Sequence, residues 1–172
     1  ILGRRPLSAR GGMLLRSPGG KAWIGDAVAS AARACGKGIV TEPFLGGGGS
    51  AVRCMESGLA VEASDSNPYL CALWNAVRER PDDLVSAIRA VRPSVEDFRR
   101  RWEALRAGEE MGDLESAVSK LVVHQMSYSG LGERAGSPIG GWSQTGRDGR
   151  PSTYLVDCRW RPDRLERRVR QL

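Results

Sequence analysis

The sequence predicts an α/β protein that begins with an open parallel sheet and continues into helices and a glycine-rich loop. Two β-branched runs, 38–42 and 58–64, enclose a short helix predicted at 50–56, which follows the glycines at 46–49. A strand, a glycine-rich turn, a helix and a second strand form a βαβ unit with parallel strands. After residue 67 the apolar residues recur at helical spacing, so we expect helices in place of further strands there.

Length and composition narrow the class of protein. The 172 residues, of which 41% are apolar, are enough for one main domain with a buried core. No run approaches the roughly 18 apolar residues of a membrane span, and the arginine-rich start lacks the apolar stretch of a secretory signal. We therefore expect a cytoplasmic protein with no membrane partner. Four scattered cysteines and one histidine predict no metal site.

The elements before the sheet follow from local patterns. Residues 1–12 are polar, basic and interrupted by glycine and proline, which predicts a disordered leader. In the segment 22–34 apolar residues recur at helical spacing, and Gly36 and Gly38 are stop signals. We expect a helix there that leads into the first strand.

The segments after the sheet read as helices, then a loop, then a strand and a last helix. The predicted helices before the loop are 68–80, 82–92, 94–105 and 114–128. The segment 129–152 is rich in glycine and has no apolar period, which predicts a loop, whether ordered or disordered. We expect a strand at 152–158 and a basic helix at 161–172.

The charge of the chain suits a polyanionic partner. The net charge is +6 and the isoelectric point is near 9.6. Each phosphate that lysine or arginine neutralises releases condensed counterions, which favours binding to nucleic acid. Six arginines fall within 159–170. A solvated surface explains such a run equally well.

The first of three short motifs is a Gly-Gly-Lys element in the run Ser17, Pro18, Gly19, Gly20 and Lys21. Two glycines let the backbone approach a ligand closely, and the lysine offers a cation to a carboxylate or a phosphate. The run also fits an ordinary junction between a loop and a helix.

The second motif follows the first strand and opens the short helix, with Glu42, Pro43, Phe44 and Leu45 before the glycines at 46–49. A tight turn without Cβ atoms at the carboxyl end of a strand admits a nucleotide-like ligand at the crevice of an open α/β sheet. A plain flexible linker is the alternative. The Glu42 carboxylate is able either to contact an amino group of a ligand or to cap a backbone amide.

The third motif, Asp65-Ser66-Asn67-Pro68, ends the second strand. A carboxylate at this position can accept hydrogen bonds from both hydroxyls of a ribose. Asp65 or Asn67 is also suited to cap the helix that begins at Pro68, and the two roles are compatible.

A dinucleotide-binding oxidoreductase is a rival interpretation of these motifs. Gly46, Gly48 and Ala51 satisfy the G-x-G-x-x-G/A pattern, with Asp65 in the place of the ribose acid. The upstream Gly-Gly-Lys element, the Glu-Pro-Phe sequence and the helices after Asn67 argue against it.

In these three motifs and their order the sequence resembles the DNA adenine methylase family. The resemblance implies S-adenosylmethionine as cofactor and a Rossmann-like methyltransferase fold, here with a partial sheet, that carries a helical and loop-rich target-recognition insertion. It implies that Ser17 and Lys21 border the methionine end of the cofactor, that Phe44, Gly46 and Gly48 form its cradle and that Asp65 holds its ribose. The candidate cofactor-binding residues are Ser17, Gly19, Gly20, Lys21, Glu42, Pro43, Phe44, Gly46, Gly48, Asp65 and Asn67.

The segment 127–131 looks like the aromatic-Asn-Gly-Leu element of the same family, with serine in place of asparagine. The resemblance implies double-stranded DNA as partner and leaves open a cognate restriction enzyme and the oligomeric state. Side chains in and after this element are able to contact phosphates or base edges. The candidate DNA-binding residues are Tyr128, Ser129, Arg134, Gln144 and Arg147. A mobile surface loop is the alternative.

The sequence contains no Asp-Pro-Pro-Tyr motif and no two adjacent prolines. In the family this motif receives the flipped adenine, whose amino nitrogen is inaccessible inside the duplex. We therefore expect a C-terminally truncated chain that is inactive alone, and we assign no catalytic residue. A non-catalytic nucleic-acid-binding module and an RNA methyltransferase are the remaining alternatives.

The resemblance also suggests how the chain is divided. After the leader, residues 13–80 are expected to form the N-terminal part of the cofactor-binding α/β domain. Residues 81–158 are expected to form the target-recognition region, and residues 159–172 a basic helix that leads back to the catalytic part. Because a doubly wound sheet usually has five or more strands, we expect part of the apolar surface of this sheet to lack a partner.

Overall fold

The computed structural model describes residues 14–15, 20–36, 38–146 and 148–172. The leader predicted at 1–12 and the candidate residues Ser17, Gly19 and Arg147 lie outside these ranges. The described elements are α1 (Gly25–Ala34), β1 (Ile39–Glu42), α2 (Gly49–Glu56), β2 (Ala60–Ala63), α3 (Pro68–Glu79), α4 (Pro81–Ala90), α5 (Val95–Ala107), α6 (Asp113–Met126) and α7 (Pro162–Gln171), with short 3-10 helices at Lys21–Ile24 and Gly132–Arg134.

The βαβ unit predicted from the sequence is confirmed. β1 and β2 pair in parallel, with Ile39 opposite Ala60 and Glu42 opposite Ala63. Helix α2 connects the two strands and packs on α1. Both strands therefore end at the same edge of the sheet, where the second and third motifs follow them.

Two helices begin at the caps that their sequences indicate. The Asn67 side chain accepts hydrogen bonds from the amides of Tyr69 and Leu70, and Pro68 occupies the first turn of α3. The Ser94 hydroxyl accepts a hydrogen bond of 3.0 Å from the amide of Asp97 and caps α5. These contacts satisfy backbone donors that have no partner within a helix.

The main core lies among the helices α3 to α7. Phe98 and Leu121 are fully buried there, and Leu165 from α7 joins them. Helix α6 is buried along nearly its whole length and packs on α3, α4 and α5. One cluster of buried side chains therefore contains residues from both sides of position 80, and the division predicted there stays a prediction.

The two-stranded sheet is only partly covered by the described elements. The Ile39 side chain is 57% exposed and the Trp23 side chain 83% exposed. Val61 of β2, Val52 of α2 and Trp74 of α3 line an open groove beside the sheet. Apolar side chains on and near the sheet are therefore exposed among the described residues.

The structure overturns one predicted element and changes the start of another. Residues 152–158 form bends and turns instead of a strand. The amide of Val156 donates to the side chain of Gln144, and Tyr154 is 67% exposed, so neither the backbone nor the side-chain pattern of a strand develops. The helix predicted at 22–34 begins as the 3-10 helix Lys21–Ile24, which continues directly into α1.

The basic helix predicted at the end of the chain is α7, and it docks on the core. Leu165 and Val169 are buried, and Arg170 bonds to Asp82 of α4 at 2.7 Å. Arg168 is buried within 3.8 Å of Glu56. Part of the arginine run is thus engaged in packing. No helix among the described residues is long and apolar enough to cross a membrane.

Candidate functional site

The glycine-rich turn after β1 is held in one conformation by the second strand and by α3. The Leu45 amide donates to the Ser64 carbonyl at 3.0 Å, and the Trp74 indole donates to the Gly46 carbonyl at 3.1 Å. Gly48 has a φ of 71°, and a Cβ there would lie 2.5 Å from the Trp74 ring. The turn is therefore a packed structure and not a flexible linker.

The Asp65 carboxylate joins the second and third motifs. It accepts a hydrogen bond of 2.8 Å from the Gly46 amide and one of 2.9 Å from the Asn67 amide. A carboxylate offers about four lone-pair sites, so acceptor capacity for two further donors remains. The sequence suggested that Asp65 binds a ligand, caps the helix at Pro68, or does both. In the structure Asn67 caps α3, while Asp65 braces the turn.

A second polar cluster lies beneath the turn and involves the first motif. The Lys21 ammonium bonds to the carboxylate of Glu42 and donates to the Phe44 carbonyl at 3.0 Å. The other carboxylate oxygen of Glu42 accepts from the Ser50 hydroxyl at 2.7 Å. Glu42 is buried, whereas the Lys21 side chain is 41% exposed. Lys21 thus connects the 3-10 helix before α1 to the end of β1, and its side chain remains accessible to solvent.

Solvent reaches several of the remaining candidate cofactor residues in the described ranges. Gly20 and Pro43 are exposed, and the Phe44 ring is 77% exposed. Gly46 has a φ of 52°, and a Cβ placed there would meet nothing within 4 Å. Hydrogen bonds thus bring Lys21 to Glu42 and Phe44, and Gly46 to Asp65, and there is open space over Gly46.

The predicted recognition element, the segment 127–131, follows α6 in a compact turn. The Tyr128 amide donates to the Ser137 carbonyl at 3.1 Å, and the Ser127 hydroxyl accepts from the Gly132 amide at 3.3 Å. The Tyr128 ring is 74% exposed, Arg134 is exposed and Ser129 is half-buried. Tyr128 and Arg134 therefore present side chains to solvent from a backbone that is fixed by hydrogen bonds.

The rest of the glycine-rich segment packs on α5. The Trp142 ring lies edge-on to Phe98 and Trp102, with ring centroids 5.8 and 5.5 Å apart. The Gln144 amide group donates to the carbonyls of Ile139 and Gly141, and its oxygen accepts from the Val156 amide. The Gln144 side chain is thus engaged within the loop, and its contact with DNA stays a prediction.

Sequence reasoning missed a buried ion pair between Lys120 and Glu133. The Lys120 side chain is 2% exposed, and its ammonium lies 2.7 and 2.8 Å from the two oxygens of Glu133. The Asn67 amide donates to the same carboxylate at 2.8 Å. The sequence did contain a signal for this pair, namely a lysine within the apolar run 117–123. A buried ammonium requires an anionic partner.

The pKa values of this pair reflect its burial. Burial lowers the pKa of Lys120 below its ordinary value, and the Glu133 carboxylate offsets this only in part. Burial alone would raise the pKa of Glu133, but the hydrogen bonds and charge of Lys120 outweigh it. The pKa of Glu133 therefore lies below its ordinary value of 4.5, and this carboxylate is ionised at neutral pH.

The polar groups at the carboxyl ends of β1 and β2 match the chemistry of a nucleoside ligand with a charged tail. The Asp65 carboxylate accepts hydroxyl donors, the exposed Phe44 ring offers an apolar face and the Lys21 ammonium attracts a carboxylate. No group of three metal-binding side chains occurs in the part of the chain that the structure describes.

Comparison with known proteins identifies the family. The family model described as D12 class N6 adenine-specific DNA methyltransferase matches residues 18–135, which is more than half of the chain. The match contains the glycine-rich turn, Asp65 and the recognition element. No curated protein matches the chain.

Proposed function

Because the chain belongs to the D12 class N6 adenine-specific DNA methyltransferase family, we propose that it binds S-adenosylmethionine at the carboxyl ends of β1 and β2. The observation that carries the proposal is the contact between the Gly46 amide and the Asp65 carboxylate at 2.8 Å. This contact joins the second motif to the third beside the open space over Gly46. The family is one of DNA adenine methyltransferases, and we propose that the exocyclic amino group of adenine in double-stranded DNA is the acceptor.

The described residues fit the cofactor. Asp65 retains acceptor capacity for two ribose hydroxyls. The space over Gly46 is open, since a Cβ on this residue would have no neighbouring atom within 4 Å. The ammonium of Lys21 is accessible to the carboxylate of the methionine end. When bound, S-adenosylmethionine supplies an electrophilic methyl group for the adenine amino nitrogen.

The wider architecture belongs to the same proposal. The two parallel strands would form part of a Rossmann-like sheet, with residues 13–80 in the cofactor-binding domain and residues 81–158 in the target-recognition region. Tyr128, Ser129, Arg134, Gln144 and Arg147 would contact DNA. The basic segment 159–172 includes α7, which is docked on the core.

We further propose that these 172 residues alone bind the cofactor without transferring its methyl group. The support is the absence of Asp-Pro-Pro-Tyr from the sequence, since in the family that motif receives the flipped base. Transfer of labelled methyl groups to DNA by the 172-residue chain would contradict this part of the proposal. Transfer to RNA but not to DNA would favour the RNA methyltransferase alternative.

Isothermal titration with S-adenosylmethionine tests the cofactor site. We expect binding by the unsubstituted chain and a dissociation constant raised about tenfold or more by Asp65→Asn, since a hydrogen bond to a charged group contributes about 1.5–3 kcal/mol. The asparagine retains the size of the aspartate but loses its charge and one acceptor oxygen.

The matched control is Asp26→Asn, because the Asp26 side chain on α1 is 85% exposed and its nearest ionic partner lies 4.0 Å away. This variant should bind like the unsubstituted chain. Clear binding of NAD with no binding of S-adenosylmethionine would overturn the proposal in favour of a dinucleotide-binding protein.

A further inference from the structure

The Glu133 carboxylate is held in place by a buried cation. Lys120, on α6, is 2% exposed and bonds to both oxygens of Glu133. An unpaired ammonium at this depth is strongly unfavourable, so the pair has little freedom to separate. Because Glu133 belongs to the 3-10 helix Gly132–Arg134, the buried pair holds the recognition turn, residues 127–135, against α6.

The same carboxylate reaches the cofactor side of the molecule through Asn67. The Asn67 amide nitrogen donates to Glu133 at 2.8 Å, while its oxygen accepts from the amides of Tyr69 and Leu70 at the start of α3. With its oxygen and its nitrogen both engaged, the Asn67 side chain has a defined orientation. Any displacement of the first turn of α3 is therefore transmitted to Glu133.

Asn67 is in turn connected to the glycine-rich turn. Its backbone amide donates to Asp65, and the other oxygen of Asp65 accepts from the amide of Gly46. A continuous path of hydrogen bonds thus runs from Gly46 through Asp65, Asn67 and Glu133 to Lys120. Residues separated by 66 positions in the chain become neighbours along it.

We propose that Glu133 is a positioning residue which, through Asn67, couples occupancy of the cofactor site to the order of the recognition turn. The inference rests on the proposed function, since it assumes a ligand on Asp65. A ligand that holds Asp65 also restricts Asn67, and the hydrogen bond to Glu133 passes this restriction to residues 127–135. Coupling of this kind requires a loss of conformational freedom and no large movement.

Hydrogen exchange measured by mass spectrometry, with and without saturating S-adenosylmethionine, tests the coupling in the 172-residue chain. We expect the cofactor to slow exchange at residues 44–48 and, by at least about threefold, at residues 127–135. The measured quantity is the difference between the free and bound states. A substitution that only weakens the fold changes both states and leaves this difference in place.

Asn67→Asp breaks the path, because it places a second carboxylate against Glu133 while keeping a good helix cap. Titration first gives the cofactor concentration that saturates this variant. With the site saturated, protection at residues 127–135 should fall below about twofold. Asn75→Asp is the matched control, since Asn75 is exposed on the same helix. It should retain protection in both segments.

If Asn67→Asp does not fold, Asn67→Ser replaces it, because serine caps the helix but has no amide donor. Protection at 127–135 that survives the single substitution would overturn the coupling. No binding of S-adenosylmethionine by the unsubstituted chain would instead overturn the proposed function, and the coupling with it.

Discussion

Gly46 and Gly48 lie two positions apart in one turn, but different physical constraints require glycine at each. Both have positive φ angles, of 52° and 71°. A Cβ at Gly48 would collide with the ring of Trp74 at 2.5 Å, whereas a Cβ at Gly46 would project into open space. Protein packing therefore excludes a side chain at Gly48, and the proposed ligand excludes one at Gly46.

Alanine substitutions should separate the two requirements. Gly48→Ala should lower the free energy of unfolding by more than the roughly 1–2 kcal/mol of a left-handed residue, because it adds a collision with Trp74. Gly46→Ala should lower the free energy of unfolding only by the roughly 1–2 kcal/mol of the left-handed backbone. It should nevertheless abolish measurable binding of S-adenosylmethionine. Urea denaturation and isothermal titration give the two quantities. Equal stability of the two variants would contradict the assignment of the collision to Gly48.

The lowered pKa of Glu133 predicts that the free energy of unfolding depends on pH in the acid range. Its pKa in the folded state lies below the ordinary value of 4.5, so between the two values the unfolded chain binds more protons. Its contribution to stability is therefore complete above about pH 4.5 and is lost as the pH falls through the folded pKa.

Urea denaturation between pH 6 and pH 3 should show this loss. The free energy of unfolding of the unsubstituted chain should fall more steeply with acidification than that of Glu133→Gln, by up to about 1.4 kcal/mol per pH unit. The other carboxylates titrate in both proteins and cancel in the comparison. Parallel curves would show that Glu133 is not held by Lys120 in solution.

At the scale of elements, aromatic side chains attach the glycine-rich segment to α5. Trp142 lies edge-on to Phe98 and Trp102 of α5, and the guanidinium of Arg99 lies 5.0 Å from its ring centre. Trp102 also donates to the Ala135 carbonyl at 3.0 Å. The loop is therefore attached to α5 at two places by aromatic side chains.

Trp142→Ala should release this segment without unfolding the protein. We expect trypsin to cleave after Arg134 or Arg150 several-fold faster in the variant, because cleavage follows the population of locally open states. Trp23→Ala is the control, since Trp23 is 83% exposed. A cleavage rate that does not change in Trp142→Ala would mean that backbone hydrogen bonds alone hold the loop.

At the scale of the whole molecule, the helices share one core that extends across the predicted division at residue 80. Phe98 of α5 is fully buried in the same cluster as Leu73 of α3 and Leu165 of α7. A shared core of this kind favours cooperative unfolding of α3 to α7.

Phe98→Ala should lower the free energy of unfolding by about 3–5 kcal/mol, through lost burial and the cavity that remains. Circular dichroism and tryptophan fluorescence should give coincident transitions, since α3 to α7 unfold together. Phe44→Ala, at an exposed ring, should change stability by less than about 0.5 kcal/mol. Two separated transitions would indicate that the predicted division corresponds to independent folding units.

The sequence by itself determined the elements that depend on local patterns. The βαβ unit, a cap for α3 at Asp65 or Asn67 and the glycine-rich turn follow from side-chain periodicity and from backbone preferences within a few residues. The structure selects Asn67 as the cap. The strand predicted at 152–158 failed because an apolar run becomes a strand only beside a partner strand. In the structure the side chain of Gln144 accepts a hydrogen bond from the Val156 amide of this segment instead.

Only the tertiary structure decided which distant groups meet. It placed Lys120 and Glu133 in one buried pair and attached Asn67 to it, joining the cofactor side to the recognition turn. The sequence shows an isolated lysine in an apolar helix and requires some anionic partner. Which carboxylate fulfils that role depends on how α3, α6 and the 3-10 helix Gly132–Arg134 pack, and no local pattern in the chain encodes that distance.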